Sequence, residues 1–281
     1  DFYGTFDGKG HVIKNLKIDA TGKSNVSLFY SLSYGEIKKL GREGGNTTGD
    51  DAFSVSGLIG TIGNKGKLRD CYNSSSISIQ RAGGGLVRNA SGNDIIIENC
   101  YNVGDVIVAG QAAGGLIGTA LYGGGSVTIK NCYNVGNLSS PYTSGSFMYA
   151  LNSSLGFKQV LNMINCFNFG NVVTTTDNNQ VGSFIGYTVG TNSVLLEVNA
   201  TNVYSRPDVA SANGVTKSGQ PIGWSGTGGE NLVNIIIPAN PTFGENPKYT
   251  LDYSQSAFFS NELGGAFKHA PGRTPKLAWE E

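Results

Sequence analysis

Charge is scarce in this sequence, and so are histidine, cysteine and long apolar runs. Asp, Glu, Lys and Arg supply only 14% of 281 residues, below the usual quarter, so little is available to coat solvated helix faces. The 20 basic and 20 acidic residues cancel. No chain-wide field therefore attracts nucleic acid or an anionic membrane. No stretch of about twenty apolar residues occurs, which excludes a membrane-spanning helix. His11 and His269 lie far apart, and no His-Glu-x-x-His is present, which removes a zinc-peptidase centre and disfavours a histidine relay. Gly83-Gly84-Gly85 and Gly123-Gly124-Gly125 lack a following Lys-Ser/Thr pair or helix pattern, so they read as turns rather than phosphate loops. No cofactor is expected.

Glycine, in contrast, is plentiful, with 42 residues pointing to many tight turns. Two motifs alternate along the chain. One is a Gly-Leu-Ile-Gly-like strand, at Gly57-Leu58-Ile59-Gly60, Gly85-Leu86-Val87, Gly115-Leu116-Ile117-Gly118 and Gly182-Ser183-Phe184-Ile185-Gly186. The other is Ile-x-Asn-Cys-Tyr-Asn-x-Gly, at Ile97 to Gly104 and Ile129 to Gly136, with a Phe-containing copy ending at Gly170. Aligning the second motif puts Leu16, Leu40, Cys71, Cys100, Cys132, Cys166 and Val203 in one column, recurring about every 31 residues. The first motif repeats with the same period. Short β-rich runs between Gly and Asn corners at this period predict an all-β fold, a right-handed parallel β-helix of about seven stacked coils.

Within the second motif, three residues separate two apolar positions such as Ile129 and Cys132, so a bend must intervene for both to face inward. Asparagine tolerates left-handed backbone angles. A stacked ladder of Asn15, Asn99, Asn131, Asn165 and Asn202 is expected at that corner, interrupted at Lys39 and Asp70. The four cysteines share a column with Leu and Val, so they read as buried free thiols rather than disulfides or metal ligands. Tyr72, Tyr101, Tyr133 and Phe167 are expected to form a packing ladder.

The repeats are assigned to residues 1–224, and 225–281 to a C-terminal cap with irregular loops. Ser254 to Leu263 is a candidate short helix, and Phe258, Phe259, Leu263, Phe267 and Trp279 supply bulk to cover the last coil. The opening residues already read as the inside of a repeat, so the sequence is expected to be a piece of an exported protein whose signal lies outside it.

Phe6-Asp7-Gly8-Lys9-Gly10-His11-Val12-Ile13-Lys14-Asn15-Leu16 resembles the opening coil of the bacterial GLUG-motif proteins. Gly115-Leu116-Ile117-Gly118 and Asn131-Cys132-Tyr133-Asn134-Val135-Gly136 are similar to their repeating unit, and Pro275-Lys276-Leu277-Ala278-Trp279-Glu280 to the tail that often closes such arrays. The resemblance implies a secreted or cell-surface bacterial protein, either adhesin-like or a non-catalytic region of an immunoglobulin A-cleaving metallopeptidase. It supplies no catalytic residues.

Function is then expected to lie in the loops. From Leu28, Leu58, Leu86, Leu116, Phe147 and Phe184, which form the column of the first motif, to the next residue of the cysteine column the spacing grows from 12 residues to 19 in the last two coils, so insertions accumulate on one edge. Those insertions carry Tyr122, Tyr149, Phe157, Lys158 and Tyr187, suited to contact with a glycan or a host surface protein. Parallel β-helices also host polysaccharide lyases and glycoside hydrolases, which need clustered carboxylates. Here Asp50-Asp51 and Glu98 with Asp105 are the densest acidic groups and read as solvated decoration. A non-catalytic binding module is the leading expectation, a carbohydrate-active enzyme the alternative, and a spacer without a ligand the third.

Overall fold

The structure is a computed structural model and describes residues 1–153, 157–177, 180–190, 196–205, 208–217, 222–225, 235–236, 243–245, 264–268 and 274–280. It is a parallel β-solenoid. One wall stacks Lys17–Asp19, Asn46–Gly49, Ser76–Ile79, Val106–Val108, Leu138–Ser140, Val172–Thr174 and Ala210–Ala212, each pairing in parallel with the next. A second stacks Asn25–Val26, Ser54–Ser56, Ala82–Gly84, Ala112–Gly114, Thr143–Gly145 and Val181–Gly182. The two motifs form the remaining walls, which are joined in one sheet because Val87–Glu98 and Ile117–Lys130 each run through both.

Among the described residues the stack is seven strands deep on the first wall and six on the second. Its irregularity lies at the ends. After Ala210–Ala212 the chain turns back, and Val215–Thr216 pairs antiparallel with it. Ile235–Ile236 and Phe243–Glu245 still add in parallel to Leu196–Ser205, so pairing continues past residue 224. The candidate helix at Ser254 to Leu263, with Phe258 and Phe259, lies outside the described residues.

Inside, the expected thiol column is present from the second coil onward. Leu40, Cys71, Cys100, Cys132, Cys166 and Val203 are buried in one cluster, and the four cysteines are unbridged. Each Sγ lies close to the carbonyl of the residue two before it, from 3.0 Å for Cys71 to 3.2 Å for Cys166. Burial pushes the Cys71, Cys100 and Cys166 thiols well above their ordinary value.

Leu16 and Asn15 do not join these columns. The first coil makes its corner at Lys9 and Gly10, with φ of 51° and 79°, and this shifts the register so that His11 pairs with Leu40. Leu16 instead approaches Asn46 in the next corner. Lys39, Asp70, Asn99, Asn131, Asn165 and Asn202 all take φ between 51° and 54°, or 50° at Asn131. Their ladder runs from Asn202 Nδ2 to Asn165 Oδ1 at 3.1 Å, on to Asn131 at 3.2 Å and Asn99 at 3.0 Å. Asp70 does not interrupt it but ends it, because its carboxylate accepts from Asn99 Nδ2 at 2.9 Å.

A second ladder lies fully inside, built from the other asparagine of the same motif. Asn73, Asn102, Asn134 and Asn168 are linked amide to amide at 2.9–3.0 Å, and each Nδ2 also donates to the carbonyl two residues on. This explains the first glycine of the other motif. A Cβ on Gly85 would sit 2.5 Å from Asn102 Cγ, and one on Gly115 2.7 Å from Asn134 Cγ. Arg42 pairs in register with Asn73 and closes the inner ladder. Its buried guanidinium donates to Thr47 Oγ1 at 2.8 Å and Gly57 O at 3.2 Å, and desolvation lowers its pKa.

Candidate binding site on the long-loop edge

The growing insertions sit where the chain passes from the Gly-Leu-Ile-Gly wall to the Asn-Cys-Tyr-Asn wall. There Val87–Glu98 and Ile117–Lys130 bend with register shifts on both sides of Gly92. Gly92 and Gly125 hold φ of 137° and 121°, a backbone region that side chains rarely adopt. They also stack closely, since a Cβ on Gly125 would lie 2.1 Å from Gly92 O. Asn64 Oδ1 accepts from Asn93 N–H at 2.8 Å, Asn93 O from Lys65 N–H at 2.8 Å, and Lys158 O from Gly125 N–H at 3.2 Å. These bonds tie successive corners around a cleft of about 480 Å³ lined by Asn64, Ser91, Gly92, Asn93, Gly125, Phe157 and Lys158.

Of the five residues expected to form a site, Phe157 and Lys158 line this cleft together. Phe157 is 59% exposed. Lys158 pairs with Glu197 at 2.9 Å, and the Glu197 carboxyl is held below its ordinary value first by Asn199 and then by Lys158. Tyr122 lies in Ile117–Lys130, on the same corner of the chain. Tyr149 and Tyr187 stand not in loops but in strands, Met148–Ser153 and Ile185–Gly190. Their position follows from pairing, with Tyr187 in register with Ala150. The Tyr149 ring packs over Gly118 and its hydroxyl meets Thr119 Oγ1; burial raises its pKa. Asn64, Ser91 and Asn93 were not singled out from sequence, although each falls in the segment between the two motifs that the spacing marks as variable.

The aromatic column is a packing ladder, as expected. Tyr72, Tyr101 and Tyr133 stack with centroids 4.9 and 4.8 Å apart and planes within 3°. What the sequence did not disclose is its cover. The tail returns along the outside of the coils. Phe267–Lys268 pairs antiparallel with Lys276–Leu277, Phe267 lies 5.8 Å from Tyr133, and Trp279 lies 5.8 Å from Tyr72. Tyr101 donates its hydroxyl to the Glu280 carboxylate at 2.8 Å, and Tyr133 donates to Pro275 O. Thus Phe267 and Trp279 cover a side of the solenoid.

No protein-family model matches the chain. It is 30% identical over 99 residues to halomucin of Haloquadratum walsbyi, a match covering 35% of this chain and 1% of that protein. The chain thus spans a very small part of that relative. The crystal structure of a candidate immunoglobulin A1 protease from Bacteroides ovatus superposes with a TM-score of 0.63 at 19% identity, over 98% of this chain and 77% of the other. At that identity the likeness shows the fold, which it shares.

Proposed function

We propose that this chain is a non-catalytic module of an exported bacterial surface protein, built on GLUG-type repeats, and that its long-loop cleft binds a glycan. The observation that carries the reading is the joint presence of an exposed ring, Phe157, with Asn64, Ser91, Asn93 and Lys158 around one cleft of about 480 Å³. Aromatic faces stack on the C–H surface of sugars, while amides, hydroxyls and ammonium groups bond their hydroxyls. The cleft lining offers holding groups rather than the paired carboxylates that glycosidic cleavage uses. An extracellular setting is supported by the names of the two similar proteins, halomucin and a candidate immunoglobulin A1 protease.

The test is to probe the intact chain against immobilised neutral and acidic glycans, then to incubate it with each retained glycan in solution. Retention of at least one glycan with no new reducing ends or unsaturated sugars is expected. Products that accumulate with time would establish the enzyme instead, and retention of none would leave the spacer.

A further inference from the structure

The returning tail does more than cover the tyrosines. Where it meets the first two coils it encloses a second cleft, of about 450 Å³, on a part of the solenoid that shares no residue with the long-loop cleft. The tail contributes Trp279 and Lys276, the first coil Lys9 and His11, and Glu43 and Tyr72 stand between.

Its construction is specific. Trp279 is fixed from three directions: its indole N–H donates to Asp70 O at 3.1 Å, Tyr72 lies beside it, and the left-handed Gly10 lets the first coil approach to where a Cβ would be 3.3 Å from the ring. The indole nevertheless remains partly exposed and lines the cleft. The two carboxylates nearby are already engaged. Glu43 accepts from Tyr72 at 3.1 Å and pairs with Lys14 at 3.6 Å, and Glu280 is buried against Tyr101. Lys9 and Lys276, in contrast, have no carboxylate within 4.0 Å among the described residues. A rigid indole beside two exposed ammonium groups, neither held in an ion pair within 4.0 Å although Lys276 still acts on Glu280 at longer range, complements a ligand with one apolar face and a negative charge.

We infer that this second cleft binds an anionic saccharide, the sugar ring on Trp279 and its acid group between Lys9 and Lys276. The tail is then part of a binding site as well as a cover, and the ligand draws tail and first coil together. Carboxylated and sulfated sugars share this chemistry. They are distinguished by titrating the intact chain with a hyaluronan tetrasaccharide, which carries carboxylates only, and a chondroitin sulfate tetrasaccharide, which carries both groups. Chitotetraose is the neutral control.

At least one anionic tetrasaccharide should bind about tenfold more tightly than chitotetraose, with affinity falling as salt rises. Joint replacement Lys9→Ala and Lys276→Ala should lower that affinity about tenfold, leaving the thermal midpoint unchanged because both side chains are exposed. Phe157→Ala should leave it unaltered, which separates this site from the long-loop cleft. Equal binding of the neutral oligomer, no binding of either anion, or full affinity in the lysine double variant would overturn the inference.

Discussion

The indole N–H of Trp279 donates to the main-chain oxygen of Asp70 at 3.1 Å, joining positions 209 residues apart. Asp70 also terminates the outer asparagine ladder, so one residue links the tail to the repeat. Trp279→Ala should therefore loosen the tail and lower global stability by about 1 to 3 kcal/mol, less than loss of a fully buried aromatic because the indole is partly exposed. Chemical denaturation checks the magnitude. Proteolysis under native conditions should cut the variant first near its C-terminus.

Tail docking should depend on pH through Glu280. Burial, the largest influence, raises this carboxyl above its ordinary 4.5 despite the opposing bond from Tyr101. A raised folded value means that the docked tail holds the proton more tightly than the free tail. The resulting stabilisation is complete below 4.5 and is lost as pH rises through the raised value. In a Trp224→Phe background, which leaves Trp279 as the sole indole, acrylamide should quench fluorescence less at pH 4 than at pH 7. Glu280→Gln should flatten that difference.

All four thiols should resist modification in the folded chain and titrate fully after denaturation. Cys132→Val should be mild, because Val203 pairs with Cys166 in the same column. Cys132→Ser should cost about 1 to 2 kcal/mol: it loses apolar volume, but its hydroxyl retains an acceptor in Lys130 O, which lies 3.1 Å from the native sulfur. Equal loss from both substitutions in a denaturant titration would contradict the packing of the column.

The inner ladder should be more sensitive than the outer. Asn134→Ala removes the acceptor of Asn102 and the donor to Asn168 and Gly136, all buried, and should cost about 2 to 4 kcal/mol. Asn131→Gly keeps the left-handed angle that its position requires and exposes its partners to water, so about 1 kcal/mol is expected. Thermal or denaturant unfolding of the pair decides the order.

These contrasts show what was legible from residues alone. Period and inward columns were readable because each coil must place an apolar residue at the same point of the turn, as Leu40, the cysteines and Val203 do. Leu16 and Asn15 were misassigned because Gly8-Lys9-Gly10 makes the first corner without asparagine, and a motif match cannot detect a corner made by another residue type. The inner ladder was equally available in Cys-Tyr-Asn. Its partner, the glycine of the other motif, lies one wall away, and only stacking brings the two together. Loop-edge aromatics divided in the same way. Phe157 lines the cleft on the insertion edge, whereas Tyr149 and Tyr187 fall within strands because pairing extends further than the motif. The tail's contact with Tyr72 and Tyr101 spans most of the chain and leaves no local signature.

The most direct test of the account is calorimetric titration of the intact chain with whichever glycan is retained in the screen, beside Phe157→Ala and Lys158→Ala. Truncating a stacking aromatic costs more in binding than an exposed substitution costs in folding. The account predicts that Phe157→Ala weakens binding at least fivefold with an unchanged unfolding midpoint, and that Lys158→Ala weakens it less, because its ammonium is already shared with Glu197. Undiminished affinity in both variants would contradict the placement of the site in the cleft between Asn64, Gly92 and Phe157.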